Sequence, residues 1–150
     1  PKETEVEERV VPSVKEEVPP KETVKPLYGL ILSVRQYYFA FNSPYPDPAT
    51  RRQIDEFIEF LKDKDIKKII IEGFACAHGP NWYNYYLSKK RALVVKNYLK
   101  KKLSLQDDVF EIKFYGEGML EVPELPSEAP ESEHAKLNRR VVIKVLYKVE

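Results

Sequence analysis

The side chains with the most distinctive chemistry lie close together in the stretch CAHGPNWYNYYLSKKR, which runs from Cys76 to Arg91. Cys76 is the only cysteine of the chain, and His78 follows it by two residues. A thiol next to an imidazole can form a nucleophile and its base, but such catalysis also needs a third group that orients the base. No such residue stands out near this pair, so we expect that the protein is not an enzyme.

The same pair of side chains has a second potential chemistry, which is metal binding. Zinc sites use three or four protein ligands. Together with His134, this chain offers at most three cysteine and histidine ligands, and His134 is far along the sequence. We therefore expect no metal and no other cofactor.

The overall charge argues against ligands that are recognised mainly through bulk electrostatics. The 150 residues include 25 lysines and arginines and 24 aspartates and glutamates, for a formal net charge of +1. Proteins that bind nucleic acid or acidic membranes usually carry a strongly basic surface. The basic run from Lys100 to Lys102 fits a helix end instead, where the macrodipole favours cations. We expect no nucleic-acid partner and, since no run of about 18 apolar residues occurs, no membrane span in this chain.

The first 26 residues differ in composition from the rest of the chain. They read PKETEVEERVVPSVKEEVPPKETVKP, with no aromatic residue and no glycine. Five prolines interrupt any helix or strand period, and the apolar residues are too sparse to form a core. We predict an extended linker with polyproline II character over residues 1–26 and a folded domain over residues 27–150.

The first half of this domain shows alternating strand and helix patterns. Residues 27–42 are rich in β-branched and aromatic side chains, which predicts one or two strands ending near Asn42. The segment ATRRQIDEFIEFLKDK has apolar residues at helical spacing, which predicts an amphipathic helix. The segment KKIIIEGFA is short and continuously apolar, which is typical of a buried strand.

The second half continues the alternation. Ser88 is a suitable N-cap for a helix that extends to Lys102, and VFEIKFYG alternates as a half-buried strand does. Residues 120–137 are rich in proline and glutamate, so we predict a loop insertion there, followed by a last strand in RRVVIKVLYKV. The order is β-α-β-α-β-loop-β, which implies a sheet with parallel neighbours and helices packed on it.

Four short motifs, in the same order along the chain, resemble those of the OmpA-like C-terminal domain family, which includes Pal-type and MotB-type domains. FAFN resembles the family's F-x-F-(D/N) strand end, and YGEG resembles its G-x-G-E region. The segment from Gly73 to Ala92 resembles the signature G-x-T-D-x-x-G-x-x-x-Y-N-x-x-L-S-x-x-R-A, and NRRV resembles the start of the last strand. The resemblance covers residues 35–147.

This resemblance carries expectations for fold and function. It implies an α/β two-layer sandwich with a mixed β-α-β-α-β-β sheet and helices on one face. It implies a non-catalytic module that binds peptidoglycan non-covalently, through the diaminopimelate of the stem peptide, and anchors an outer-membrane or envelope complex. The implied location is the periplasm, with association to the outer membrane through an anchor that precedes this sequence.

The expected ligand site departs from the family pattern at one position. In the family an aspartate and an arginine together recognise the ammonium and the carboxylate that diaminopimelate carries on one carbon. Arg91 matches the arginine, but Cys76 stands at the aspartate position, fifteen residues earlier. A thiol is mostly neutral at pH 7 and does not replace a carboxylate that faces an ammonium. Two expectations stay open: weakened peptidoglycan binding, or a degenerate domain that serves as a structural subunit of a secretion or motility assembly.

The other candidate ligand-binding residues are polar side chains of the same motifs. They are Asn42, Asn84, Arg139 and Arg140. Asn84 either bonds to the loop backbone or contacts a ligand carboxylate. The two arginines either pair with glutamates of the insertion or line the groove in which the ligand is expected to bind.

Arg91 itself has a structural alternative, an ion pair with a neighbouring strand end. With the helix starting at Ser88, Arg91 lies in its first turn, where a cation opposes the macrodipole and favours a use other than helix stability. Four aromatic residues surround the loop before this helix: Trp82, Tyr83, Tyr85 and Tyr86. They either pack against the domain or contact a sugar or peptide.

Overall fold

A computed structural model describes residues 4–9, 29–121, 124 and 129–148 of the chain. Five strands of the described residues form one sheet in the order β1-β2-β5-β3-β4. Their bounds are Thr4–Arg9 (β1), Leu30–Tyr38 (β2), Asp65–Gly73 (β3), Phe110–Phe114 (β4) and Arg140–Lys148 (β5). The helices are Pro48–Leu61 (α1), Asn81–Leu103 (α2) and Glu133–Asn138 (α3), and a 3₁₀ turn spans Asp107–Val109.

The sheet is mixed, and the predicted α/β two-layer sandwich is confirmed. β3 and β4 are parallel, whereas β5 is antiparallel to both β2 and β3. Helix α2 forms the crossover between the two parallel strands, as a parallel connection requires. The main core lies between the two long helices and one face of the sheet, with Ile54, Leu99 and Ile143 among its buried members.

Helix α1 forms where the sequence predicts it. The carboxylate of Asp47 accepts a hydrogen bond from the N–H of Thr50, and Pro48 occupies the first turn, where a missing N–H does no harm. The predicted apolar stripe is buried; it comprises Ile54, Phe57, Ile58 and Leu61. This helix therefore starts directly after the turn that follows β2.

The predicted start of the second helix at Ser88 is wrong, because α2 begins at Asn81. No side chain caps this end, so the sequence carries no cap signal there. Ser88 instead lies inside the helix, where its hydroxyl donates to the carbonyl of Tyr85 and accepts from the N–H of Gly116. Arg91 consequently lies ten residues inside the helix, and the macrodipole argument for its function does not apply.

The N-terminal segment differs in part from the extended linker expected over residues 1–26. Within it, Thr4–Arg9 forms β1, which pairs antiparallel with β2 at the edge of the sheet. A sheet edge offers unpaired N–H and C=O groups, and an extended segment can pair with them. The rest of the expected linker, residues 10–26, lies outside the described residues.

The predicted insertion at residues 120–137 is not entirely a loop. Its described part includes most of α3, whose N-cap Ser132 accepts a hydrogen bond from the N–H of Ala135. Within the described parts of the chain, no helix combines the length and the apolar character that crossing a bilayer requires.

Candidate functional site

Most of the predicted site residues meet at one end of the sheet, where β2 and β3 end and β5 begins. Two backbone hydrogen bonds of 2.9 Å extend the strand pairing there: the N–H of Phe39 donates to the carbonyl of Arg139, and that of Phe74 to the carbonyl of Arg140. The segments that follow β2 and β3 therefore both lie against the start of β5.

Arg91 lies beneath this end of the sheet and is completely buried. Its Nε donates to the carbonyl of Ser43 (2.8 Å), Nη1 to that of Phe74 (3.1 Å) and Nη2 to that of Ala40 (3.0 Å). Burial lowers the pKa of Arg91 to about 10, so the guanidinium remains charged at neutral pH. Its partners are backbone carbonyls rather than the carboxylate of an ion pair, and it joins the turn after β2 to the end of β3.

Cys76 is also buried, with 3% of its surface exposed. Its sulfur lies 3.9 Å from Nη1 of Arg139. The position at which the resemblance expects an aspartate thus holds a buried thiol that faces the guanidinium of Arg139.

Arg139 is held in place but borders open space. Its Nε donates to the carbonyl of Phe39 (2.9 Å) and its Nη1 to that of Pro130 (2.6 Å). The side chain lines a cleft of about 660 Å³ between the end of β2 and α3. The apolar part of the cleft wall includes Phe41 and Leu137, both of which are exposed.

The cleft also carries charges of both signs. Asp47 contributes a carboxylate from the N-terminus of α1, and Glu131, Glu133 and Lys136 contribute charges from the insertion. Sequence reasoning missed all four residues because they belong to none of the motifs. The one available signal was the density of glutamates in the insertion.

Asn84 and Asn42 shape the surrounding loops. Asn84 is buried, and its Nδ2 donates to the carbonyl of His78 and to Oε1 of Glu117, each at 2.7 Å. These hydrogen bonds join Asn84 to the loop before α2 and to Glu117. Asn42 has a φ of 64°, a left-handed conformation that asparagine tolerates better than most residues. It thereby forms the turn whose next residue, Ser43, presents its carbonyl to Arg91.

Arg140 lies on the face of the sheet opposite to Arg139, because successive side chains of a strand alternate. Its guanidinium carbon lies 3.8 Å from the centre of the Phe74 ring, and its Nε is 3.2 Å from a carboxylate oxygen of Glu121. Burial is the main cause that lowers the pKa of Arg140. The two alternatives raised for this pair thus apply to one residue each: Arg139 lines the groove, and Arg140 pairs with a glutamate of the insertion.

A further carboxylate, that of Glu124, lies close to Cys76 and has no counterpart in the motifs. Both of its oxygens are 3.1 Å from the backbone nitrogen of Ala77, and Oε2 accepts a hydrogen bond of 2.6 Å from Nδ2 of Asn138. Nδ1 of His78 lies 3.4 Å from Oε1, and only 2% of the Glu124 side chain is exposed. The insertion therefore places a buried carboxylate next to the position where the family has its aspartate.

The aromatic cluster belongs to the first two turns of α2 rather than to a loop. Trp82 is 71% exposed, and Tyr85 and Tyr86 are more than half exposed. Tyr83 is partly buried and contacts the ring of Trp82 at 5.8 Å between centroids. Tyr85 also packs against the ring of Phe114, at 4.8 Å between centroids, so packing accounts for part of Tyr83 and Tyr85 and for least of Trp82.

Comparison with known proteins places this geometry in a family. A model of the OmpA family matches residues 38–134. The chain is 38% identical over 65 residues to the peptidoglycan-associated lipoprotein of Buchnera aphidicola subsp. Baizongia pistaciae. The aligned region covers 43% of this chain and 38% of that protein. The chain is 28% identical over 127 residues to outer membrane protein A of Bordetella avium, and this aligned region covers 85% of this chain and 62% of that protein. The chain thus spans less than two thirds of the length of either relative.

A solved structure shows the same fold. The cell wall anchor of the T6SS from Pseudomonas aeruginosa superposes with a TM-score of 0.60 at 20% identity, over 78% of this chain and 82% of that one. The match to the family model extends from the end of β2 into α3 and so includes most of the cleft. The chain belongs to the OmpA family.

Proposed function

We propose that this chain is a non-catalytic periplasmic module that binds peptidoglycan non-covalently and anchors an outer-membrane or envelope complex to it. The observation that carries the proposal is the cleft beside Arg139, which combines both signs of charge in a chain of the OmpA family. The names of its relatives support it, since one is a peptidoglycan-associated lipoprotein and another a cell wall anchor.

The chemistry of the cleft suits the diaminopimelate of the stem peptide. That residue carries an ammonium and a carboxylate on one carbon, and a guanidinium is well matched to the carboxylate. Nε and Nη1 of Arg139 already contact protein groups, so we assign the ligand carboxylate to Nη2. Asp47, Glu131 and Glu133 line the same cleft and supply carboxylates for the ammonium.

In this proposal Arg91 supports the site and Arg139 contacts the ligand. The three nitrogens of Arg91 already donate to carbonyls, and no part of its side chain reaches the surface. Its hydrogen bonds join the segment that follows β2, which begins with Phe39, to the end of β3. Phe39 in turn accepts a hydrogen bond from Arg139. The ligand contact that the family resemblance implies for Arg91 is thus assigned to Arg139.

Co-sedimentation with purified sacculi tests the proposal. We expect the wild-type protein to pellet with sacculi and Arg139→Ala to bind roughly ten- to a hundredfold more weakly, the effect of losing one charge-assisted contact. Lys113→Ala is the control, because it removes a cation from the edge strand β4, outside the cleft. Wild-type protein that stays in the supernatant at every salt concentration would refute peptidoglycan binding.

The second candidate function is a structural subunit of an envelope assembly that has lost the ligand. The burial of both Cys76 and Arg91 favours it, because neither of the family's two recognition positions reaches solvent. This candidate predicts that the wild-type protein does not bind sacculi and that Cys76→Asp gains some binding. Binding by wild type that Cys76→Asp weakens would exclude it.

A further inference from the structure

The carboxylate of Glu124 sits in a set of hydrogen-bond donors that suits any carboxylate. The N–H of Ala77 faces both oxygens, and the side-chain amide of Asn138 donates to one of them. A buried carboxylate is stable only where such donors replace its hydration. We call these two donors, Ala77 N–H and Asn138 Nδ2, the carboxylate receptor.

The receptor is positioned by contacts that do not involve Glu124. On one side of Ala77, the N–H of Ala75 donates to the carbonyl of Gly116 (2.8 Å); on the other, the carbonyl of His78 accepts from Asn84. Asn138 is completely buried, and its Oδ1 accepts a hydrogen bond of 2.6 Å from the N–H of Glu121. Both donors therefore keep their places when the Glu124 side chain leaves.

Arg139 connects the receptor to the cleft, although neither Ala77 nor Asn138 lines the cleft. Ala77 follows Cys76, and Asn138 precedes Arg139, whose guanidinium lines the cleft and approaches the thiol. Cysteine carries no carboxylate, whereas an aspartate at position 76 would bring a second carboxylate to the residue before Ala77. Two neighbouring carboxylates disfavour each other's charged form, so cysteine at position 76 suits a receptor that already holds a carboxylate.

We propose that the receptor is a subsite for a carboxylate of the stem peptide and that Glu124 occupies it until the ligand displaces it. A glutamate side chain ends in a carboxylate on a short alkyl chain, the same chemistry as the acidic amino acids of a stem peptide. The inference rests on the proposed function for the identity of the ligand. Because the ligand competes with Glu124, the apparent affinity of the wild-type protein is reduced by the fraction of receptors that Glu124 fills.

Variants of Glu124 test the competition. Titration with a stem tripeptide that contains diaminopimelate should give a Kd about tenfold lower for Glu124→Ala than for wild type, and an intermediate Kd for Glu124→Gln. Glu121→Gln is the matched control, because its carboxylate comes from the same insertion but pairs with Arg140 on the other face of the sheet. A gain of affinity does not arise from structural damage. An unchanged or higher Kd for both Glu124 variants would overturn the inference, and a higher one would make Glu124 a ligand contact instead.

A second measurement separates this inference from the proposed function. In Glu124→Ala, the amide resonance of Ala77 should shift on titration with acetate, whereas in wild type it should require a much higher acetate concentration. Equal responses of the two proteins, or none in the variant, would overturn the receptor even if both bind sacculi. A shift of Ala77 in a protein that never binds sacculi would support the receptor and refute the peptidoglycan assignment.

Discussion

Nη1 of Arg139 lies 3.9 Å from the sulfur of Cys76, so a guanidinium faces a thiol at the centre of the candidate site. The positive charge of Arg139 is also one of the causes that lower the pKa of Arg91, after burial. No charge on Cys76 is needed to hold them there, because backbone carbonyls accept the hydrogen bonds of both side chains. The guanidinium of Arg139 therefore contacts this thiol and also lines the cleft, which carries charges of both signs.

Asp47→Asn should separate ligand binding from stability. Asp47 lines the cleft, and its carboxylate also caps α1 through the N–H of Thr50. Asparagine caps a helix about as well as aspartate, so we expect the free energy of unfolding to change by less than about 0.5 kcal/mol while sacculus binding falls severalfold. For Asp47→Ala, the comparison variant, we expect the same loss of binding and also a free energy of unfolding that is lower by about 1 kcal/mol. Urea unfolding and co-sedimentation measure the two effects, and full binding by Asp47→Asn would remove this carboxylate from the ligand site.

Arg91→Lys should destabilise the fold although it keeps the charge. The planar guanidinium donates in three directions, to the carbonyls of Ser43, Phe74 and Ala40, and an ammonium on a flexible stem does not reproduce that geometry. We expect the free energy of unfolding to fall by about 2–4 kcal/mol, since buried carbonyls lose their donors. Lys113→Ala, at the exposed edge strand, should stay within about 0.5 kcal/mol of wild type. An Arg91→Lys variant as stable as wild type in urea unfolding would show that these hydrogen bonds contribute little.

Gly73→Ala should be among the more damaging substitutions, because α2 crosses β3 with almost no space between them. A Cβ at position 73 would lie 2.1 Å from the backbone oxygen of Ser88, which no side-chain rearrangement relieves. Overpacking of this kind typically costs about 1–3 kcal/mol and occasionally more, and we expect the upper end. Gly79→Ala provides the contrast: its Cβ meets open space, and only its φ of +86° adds strain, for about 1 kcal/mol. Urea midpoints that fall in the opposite order would contradict the close approach.

The thiol of Cys76 should react only when the domain opens. With 3% of its surface exposed, it is inaccessible to a reagent as large as Ellman's, and reaction should be slow in native buffer and complete in guanidinium chloride. The unfolded protein serves as the control, because the chain contains no second cysteine. Fast labelling of the native protein, or a disulfide-linked dimer on non-reducing electrophoresis, would show that the thiol reaches the surface.

Local patterns in the sequence were sufficient for the family and for most of the elements, but not for β1 and α3. The helical spacing from Ile54 to Leu61 predicts α1, and the apolar run before Gly73 predicts β3, because each pattern reports which side chains face the core. The start of α2 was not predictable in this way, since Pro80 and Asn81 provide no capping hydrogen bond. The order of the motifs identified the family, and the family model confirms it.

The sequence by itself determined the order of β2 to β5 and of the two long helices, and the family. Tertiary structure alone decided that Arg91 is buried on carbonyls, that Arg139 lines the cleft while Arg140 faces away, and that Glu124 reaches Ala77 across 47 residues. The physical reason is the range of the interactions. Helical and strand periodicity depends on neighbours a few residues apart, whereas burial, cleft and receptor depend on contacts between distant segments that only the packed fold brings together.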